Sequence, residues 1–389
     1  MPRYVCTLCG PNSTRMGAEP PAVCPECGRA EFIREIRKPL TQFIPDYWRT
    51  HLEEKIARIH ALQRDAGWDS ASFALITDIH VCDNAWHSGA IMEEVLRRCA
   101  IAYFYNAGDT ISGAGHCLPE DLFLDIDEFR AAFAPIEDRC LMVEGNHDTA
   151  YSTLGGTRYY AQSLTQAEFN EHFFRFETLY PNRTFGSDGS WYFADDVQHK
   201  MRFVVLNCHD VPSQEVDAEG VPAYSKFHMC AVRQEQLDWF ANVALDVPGQ
   251  DWTVTLCTHE IPIADCNMYS ADMILGILNA FRNHTAFAGE TDLPEAEYNT
   301  VVNVDFTGRG GNFTLWVGGH THRDVFGQLE GINCMCCLND SRNKSAESPY
   351  LRVEGTITEH AFDVFTVNKK QRKIYVTRIG AGEDRVLDY

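Results

Sequence analysis

Short apolar runs rich in β-forming residues recur along the chain, and each is followed at once by polar residues able to bind a metal. They are SFALIT ahead of Asp78, IAYFYNAG ahead of Asp109, LMVEG ahead of Asn146, RFVVLNC ahead of His209, VTLCT ahead of His259 and TLWVGG ahead of His320. Continuous runs of this length suit strands buried on both faces. Helical stretches such as AIMEEVLRRC separate several of them, and strand, helix, strand in succession predicts parallel pairing in an α/β domain. In open sheets of that kind ligands collect beyond the carboxyl ends of the strands. The polar residues fall at those ends.

Upstream, Trp48, Leu52, Ile56, Ile59 and Leu62 recur at three- and four-residue spacing, one apolar face of an amphipathic helix. This helix, within 39–70, is expected to link an N-terminal segment, 1–38, to the main domain, 71–389. His51 and His60 on it have no partner ligands nearby and read as structural or solvent-exposed. Near the C-terminus, AFDVFTVNKK and KIYVTRIGAG predict a hairpin added to the sheet. Cys334, Cys336 and Cys337 continue a strand-like apolar pattern, so core packing is expected of them.

The 389 residues are 45% hydrophobic and 23% charged, an ordinary globular balance long enough to bury a full core without disulfides. A formal net charge of -22 argues against a broad grip on nucleic acid, which needs clustered Lys and Arg. With no signal-peptide core and no apolar run of ~18 residues, no membrane role and a cytoplasmic location are expected. The odd count of 15 cysteines fits poorly with complete disulfide pairing. Cys99, Cys140, Cys208 and Cys257 sit singly in apolar segments and read as small hydrophobes.

Four cysteines form another pattern, because Cys6 with Cys9 and Cys24 with Cys27 make two CxxC turns separated by fourteen residues. Two such turns can close a tetrahedral thiolate site. YVCTLCG and CPECGRAEF resemble a rubredoxin-type or zinc-ribbon knuckle. Zinc is favoured over iron, as a structural staple for a segment too small to fold alone.

In order, the main domain reads D78-I-H80, G108-D109, G145-N146-H147-D148, H259 and G319-H320-T321-H322. In an extended DxH, Asp78 and His80 would point the same way and could chelate one ion. The whole ordered set, spanning 73 to about 325, resembles the calcineurin-like metallophosphoesterase family. That resemblance implies a four-layer αββα sandwich with two divalent metals drawn from Mn, Fe or Zn. Asp78, His80 and His322 would hold the first, Asn146, His259 and His320 the second, and Asp109 would bridge them. His147 would protonate the leaving-group oxygen, and Asp148 could orient it. The reaction implied is cleavage of a phosphate mono- or diester in a small phosphorylated substrate, by in-line attack of a metal-bridging hydroxide. His116, His209, Tyr151 and Arg158, with Tyr269, lie in loops where substrate contacts are expected, His209 having packing as an equal alternative. A nuclease acting on DNA or RNA, and a non-catalytic protein of the same fold, remain the alternative functions.

Overall fold

The computed structural model of the chain describes residues 3–6, 10–16, 22–24, 28, 32–35, 43–81, 85–112, 119–148, 153–154, 157–158, 165–174, 182–212, 215, 218, 223–263, 266–342 and 349–389. Among them, Arg3–Cys6 pairs antiparallel with both Gly10–Met16 and Phe32–Glu35 in a small sheet. Of the knuckle cysteines, Cys24 is buried. Cys9 and Cys27 lie outside the described residues, as does the side chain of Cys6.

Helix α1, Arg49–Ala66, carries the predicted apolar stripe, with Leu52, Ile56 and Ile59 buried. It stops where Gly67 takes φ 59°, a left-handed conformation that glycine adopts without a Cβ clash, and caps the carbonyl of Gln63. His51 accepts from the amide of Gly380 at 3.2 Å, and His60 Nε2 lies 2.9 Å from the Arg98 carbonyl. Both histidines are therefore structural.

The main domain is built on two mixed sheets. Strands β1 (Ser70–Ile76), β2 (Phe104–Asn106) and β3 (Cys140–Met142) run parallel, connected through helices α2 (Ala85–Arg98) and α3 (Pro119–Phe133). The chain then lays down β4 (Arg183–Phe185), β5 (Tyr192–Asp196), β6 (Met201–Val205), β7 (Thr253–Cys257), β8 (Asn312–Gly318), β9 (Val325–Leu329) and β10 (Ile332–Cys336). They form a seven-stranded sheet of order β9-β10-β8-β7-β6-β5-β4, in which β6, β7, β8 and β10 are parallel. Helix α4, Ala271–Asn283, follows β7. The chain returns to the first sheet with β11 (Ala361–Asn368), β12 (Lys373–Gly380) and β13 (Arg385–Asp388), giving the order β13-β12-β11-β1-β2-β3. All six predicted runs are strands. The expected hairpin is β11 and β12, and a third strand, β13, extends it.

Alternation along the strands shows how the sheets face each other. Phe203 and Val205 of β6 and Leu315 and Val317 of β8 join the core around β1 and β11, whereas Val204 and Trp316 join a second core beneath α4. Between the sheets, Phe73 stacks on its cross-strand partner Phe365 at 4.7 Å and meets the edge of Phe203 from the other sheet at 5.6 Å. Cys334 and Cys336 pack in the second core as expected. No helix among the described residues is long and apolar enough to cross a membrane. Phe203 occupies the dry contact between the two sheets, so Phe203→Ala is expected to lower the unfolding free energy by about 3–5 kcal/mol. Equilibrium urea unfolding measures this, and an unchanged midpoint would show that the two sheets are not coupled through that ring.

Candidate metal centre

The carboxyl ends of the parallel strands of both sheets converge on one place. Asp78 and His80 follow β1, Asp109 follows β2, and Asn146 and His147 follow β3, while His259 follows β7 and His320 and His322 follow β8. One group of donors is Asp78, His80, Asp109 and His322, and a second is Asp109, His259 and His320. Asp109 belongs to both. Its Oδ2 lies 3.9 Å from His80 Nε2 and 3.4 Å from His259 Nε2, while its Oδ1 accepts from the His147 amide at 2.8 Å. In the first group His322 Nε2 stands 3.1 Å from Asp78 Oδ1 and 3.3 Å from His80 Nε2. In the second, Asn146 Oδ1 sits 3.1 Å from His259 Nε2 and 3.0 Å from His320 Nδ1.

The expected extended DxH is not what forms. Asp78, His80, Asp109, His320 and His322 all take positive φ, between 46° and 70°. Each of these loops leaves its strand through left-handed turns, so the side chains reach inward from separate bends instead of alternating along one strand. Close packing between the loops fixes the bends. The Asp78 amide donates to Gly108 O and the His80 amide to Asp109 O, both at 3.0 Å. Gly319 lets the His320 loop lie against the first one, since a Cβ there would strike Thr77 Oγ1 and the Asp78 carboxylate. Gly145 is pressed in the same way against the Asp109 amide and carboxylate, so its missing side chain makes room for a neighbouring loop rather than for an ion.

Charge states follow from burial and neighbours. Burial disfavours the ionised form of Asp78, but His322 beside it brings its pKa down to about 2. Asp109 is likewise held well below the usual carboxylate range against the cost of burial, chiefly by His259. Burial drives His80 down to about 3, leaving it a neutral imidazole. His259 moves the other way, because Asp109 and Asp78 outweigh its burial and raise it well above 6.5. Its Nδ1 is 2.8 Å from the Ala107 carbonyl, the position of an N–H donor, which turns Nε2 toward Asp109. Ionised carboxylates facing protonated imidazole are the charge distribution expected where a proton stands in for a cation. The donor set fits divalent ions: carboxylate, carboxamide and imidazole suit Mn, Fe or Zn.

His147 is partly exposed at the edge of the first group, its ring perpendicular to His80 at 4.8 Å and to Phe227 at 5.0 Å. Asp148 does not orient it. The Asp148 carboxylate accepts from the amides of Gly145 at 2.8 Å and Ile111 at 3.0 Å, tying the loops after β2 and β3 together. His209 is fully buried behind His259, ring centres 6.0 Å apart. Tyr269 stacks on Tyr298 in a separate small cluster. His116 and Tyr151 lie outside the described residues, as does the side chain of Arg158.

Sequence reasoning missed three features. Thr77 donates to Asp78 Oδ2 at 2.6 Å. Glu260 brings Oε1 to 3.9 Å from His320 Nδ1, and its place directly after His259 was the available signal. The third is a buried chain in which Glu359 Oε1 lies 2.8 Å from both His87 Nδ1 and His360 Nε2, and His360 Nδ1 lies 2.8 Å from Ser88 Oγ. Ser88 in turn donates to Asp340, whose amide bonds Thr77 O at 2.9 Å. Those imidazole nitrogens already have hydrogen-bond partners, and the chain braces the Asp78 loop.

A model of the calcineurin-like phosphoesterases matches residues 71–324, which include every donor of the two groups around Asp109. The chain belongs to the calcineurin-like phosphoesterase family. Among solved structures, this phosphoesterase is similar to GAP50, the anchor in the inner membrane complex of Plasmodium, with 12% identity, 82% of this chain and 88% of that one covered, and a TM-score of 0.42. A predicted phosphoesterase from Streptococcus pneumoniae matches with 11% identity, 82% and 98% coverage and a TM-score of 0.28. A putative 5'-nucleotidase from Staphylococcus aureus matches with 10% identity, 82% and 54% coverage and a TM-score of 0.35. Likeness at this level does not extend to substrate. No curated protein sequence matches the chain.

Because His259 is held protonated, an entering cation must displace that proton. Metal affinity of the metal-free phosphoesterase is therefore expected to rise with pH, by about tenfold per unit for one displaced proton, as long as the pH stays below the folded His259 pKa. Titration against a competing chelator at several pH values measures the slope, and an affinity independent of pH would remove His259 from the ligand set.

Proposed function

We propose that the chain hydrolyses a phosphate ester, monoester or diester, with two divalent cations drawn from Mn, Fe or Zn. Asp78, His80 and His322 would hold one ion and Asn146, His259 and His320 the other, with Asp109 shared by the two groups of donors, on the four-layer αββα framework that the family implies. The observation that carries this is the single buried oxygen of Asp109, which faces the imidazoles of both groups. A bound pair supplies Lewis acidity at a phosphoryl oxygen and lowers the pKa of water from about 15.7 toward about 7. The chain's own residues do the rest. The Asp109 carboxylate is pinned by the His147 amide, so the two groups of donors keep a fixed separation. His147, at the exposed edge of the first group, passes a proton from its imidazole to the leaving oxygen, and Phe227 limits its swing. The substrate is a small phosphorylated molecule, and a structural zinc on Cys6, Cys9, Cys24 and Cys27 completes the proposal.

The test compares p-nitrophenyl phosphate with bis(p-nitrophenyl) phosphate after loading each metal. Asp109→Asn is expected to lower turnover about 100-fold or more together with bound metal. Hydrolysis of neither ester under any metal, with metal content unchanged in Asp109→Asn, would sink the proposal. His147→Ala should keep its metals yet lose about 10²–10⁴-fold in kcat on alkyl phosphates, whose leaving groups need the proton. The loss on p-nitrophenyl esters should be smaller, and equal losses on both would assign His147 to positioning.

A further inference from the structure

Beside His259 and His320, three thiols and a carboxylate converge outside the donor set described above. Cys208 follows β6, Glu260 follows β7, and Cys230 lies on an isolated bridge to Met268, two residues after Cys266. Donor atoms of Cys230, Glu260 and Cys266 all lie within 4.8 Å of one another. The Cys266 thiol donates to Glu260 Oε2 at 2.9 Å, and Cys208 Sγ accepts from the Glu260 amide at 3.4 Å. Cys208 also bonds Cys230 through their thiols. Cys99, Cys140 and Cys257 are embedded in the main apolar core, as the sequence suggests. Cys208, read in the same way, packs in the second core, as does Cys230, where that core borders Glu260.

A second observation points to a ligand at the same place. His209 is fully buried, its Nε2 makes no hydrogen bond, and it stands 3.8 Å from Glu260 Oε1. A buried ring nitrogen without a partner is costly. Movement of the carboxylate by a few tenths of an ångström toward His209 would satisfy it, and that is the usual way an outer imidazole orients a ligating carboxylate.

We propose that Cys208, Cys230, Cys266 and Glu260 form a third metal site that takes a single zinc ion. Three soft sulfur donors with one oxygen suit zinc, and donors at Zn–S distances of about 2.3 Å stand about 3.7 Å apart in a tetrahedron. The donors need only draw together. Binding transfers three thiol protons to solvent and leaves three thiolates on the ion, with no change of oxidation state. Buried Cys208 and Cys230 form the floor of the site, and partly exposed Cys266 gives the ion its way in. Because Glu260 directly follows His259 and lies 3.9 Å from His320, the ion braces the segment that carries the second group of donors. The site stands independently of the proposed hydrolysis.

The test uses the full chain loaded with zinc or cobalt(II). Cys266→Ser and the Cys230→Ser/Cys266→Ser variant are expected to lose one zinc per chain by mass spectrometry. They should also lose part of the thiolate-to-cobalt absorption, a part retained in a Cys6→Ser/Cys9→Ser variant. Where a variant fails to fold, alkylation of the unaltered protein decides, since zinc should shield Cys266, the partly exposed thiol of the three, from iodoacetamide by at least tenfold. Unchanged zinc count and absorption, or alkylation indifferent to zinc, would overturn the site. So would a Cys230–Cys266 disulfide in the protein as isolated under non-reducing conditions.

Discussion

The burial of Asp109 is the constraint on which the rest of the structure turns. A carboxylate withdrawn from water costs several kcal/mol unless positive charge and hydrogen bonds surround it. Here that environment has to be assembled from both sheets, because the His147 amide that bonds the carboxylate comes from the loop after β3 and His259 from the loop after β7. The two sheets must therefore stack with their carboxyl ends together. The aromatic contact of Phe73, Phe203 and Phe365 makes that stacking favourable independently of the charges.

Convergence has a conformational cost. Five side chains of the centre grow from left-handed backbone, at roughly 1–3 kcal/mol for each residue held in such a region. Neighbouring loops hold these bends through amide bonds, among them the Asp340 and Ser341 amides on the carbonyls of Thr77 and Asp78. A site built this way is set before any ligand arrives, because its side chains have little freedom left to lose.

Much of this was legible in the sequence. The six apolar runs marked six strands, and the polar residues after them marked the centre, because buried parallel strands and the ligand-binding ends of open sheets leave plain compositional traces. The DIH geometry was not legible, since the same three letters serve an extended strand end or a pair of left-handed turns, and tertiary packing selects between them. Asp148 misled for a related reason. Adjacency to His147 suggested a partner, yet the amides of Gly145 and Ile111 reach its carboxylate first. Cys208, Cys230 and Cys266 come from segments far apart in sequence, and no local spacing could announce their meeting.

The loop that carries His320 and His322 is anchored by strands added at the end of the chain. Asp324, two residues past His322, accepts from the fully buried guanidinium of Arg378 at 2.6 Å and pairs with Arg385, and Arg378 also bonds Asp363 of β11. Strand β1, which leads into Asp78, has β11 as its antiparallel neighbour. During synthesis on the ribosome one edge of β1 stays open until residues 361–368 emerge, and Asp324 has no guanidinium until Arg378 and Arg385 follow. Two loops of the centre thus depend on strands that are made after both of them.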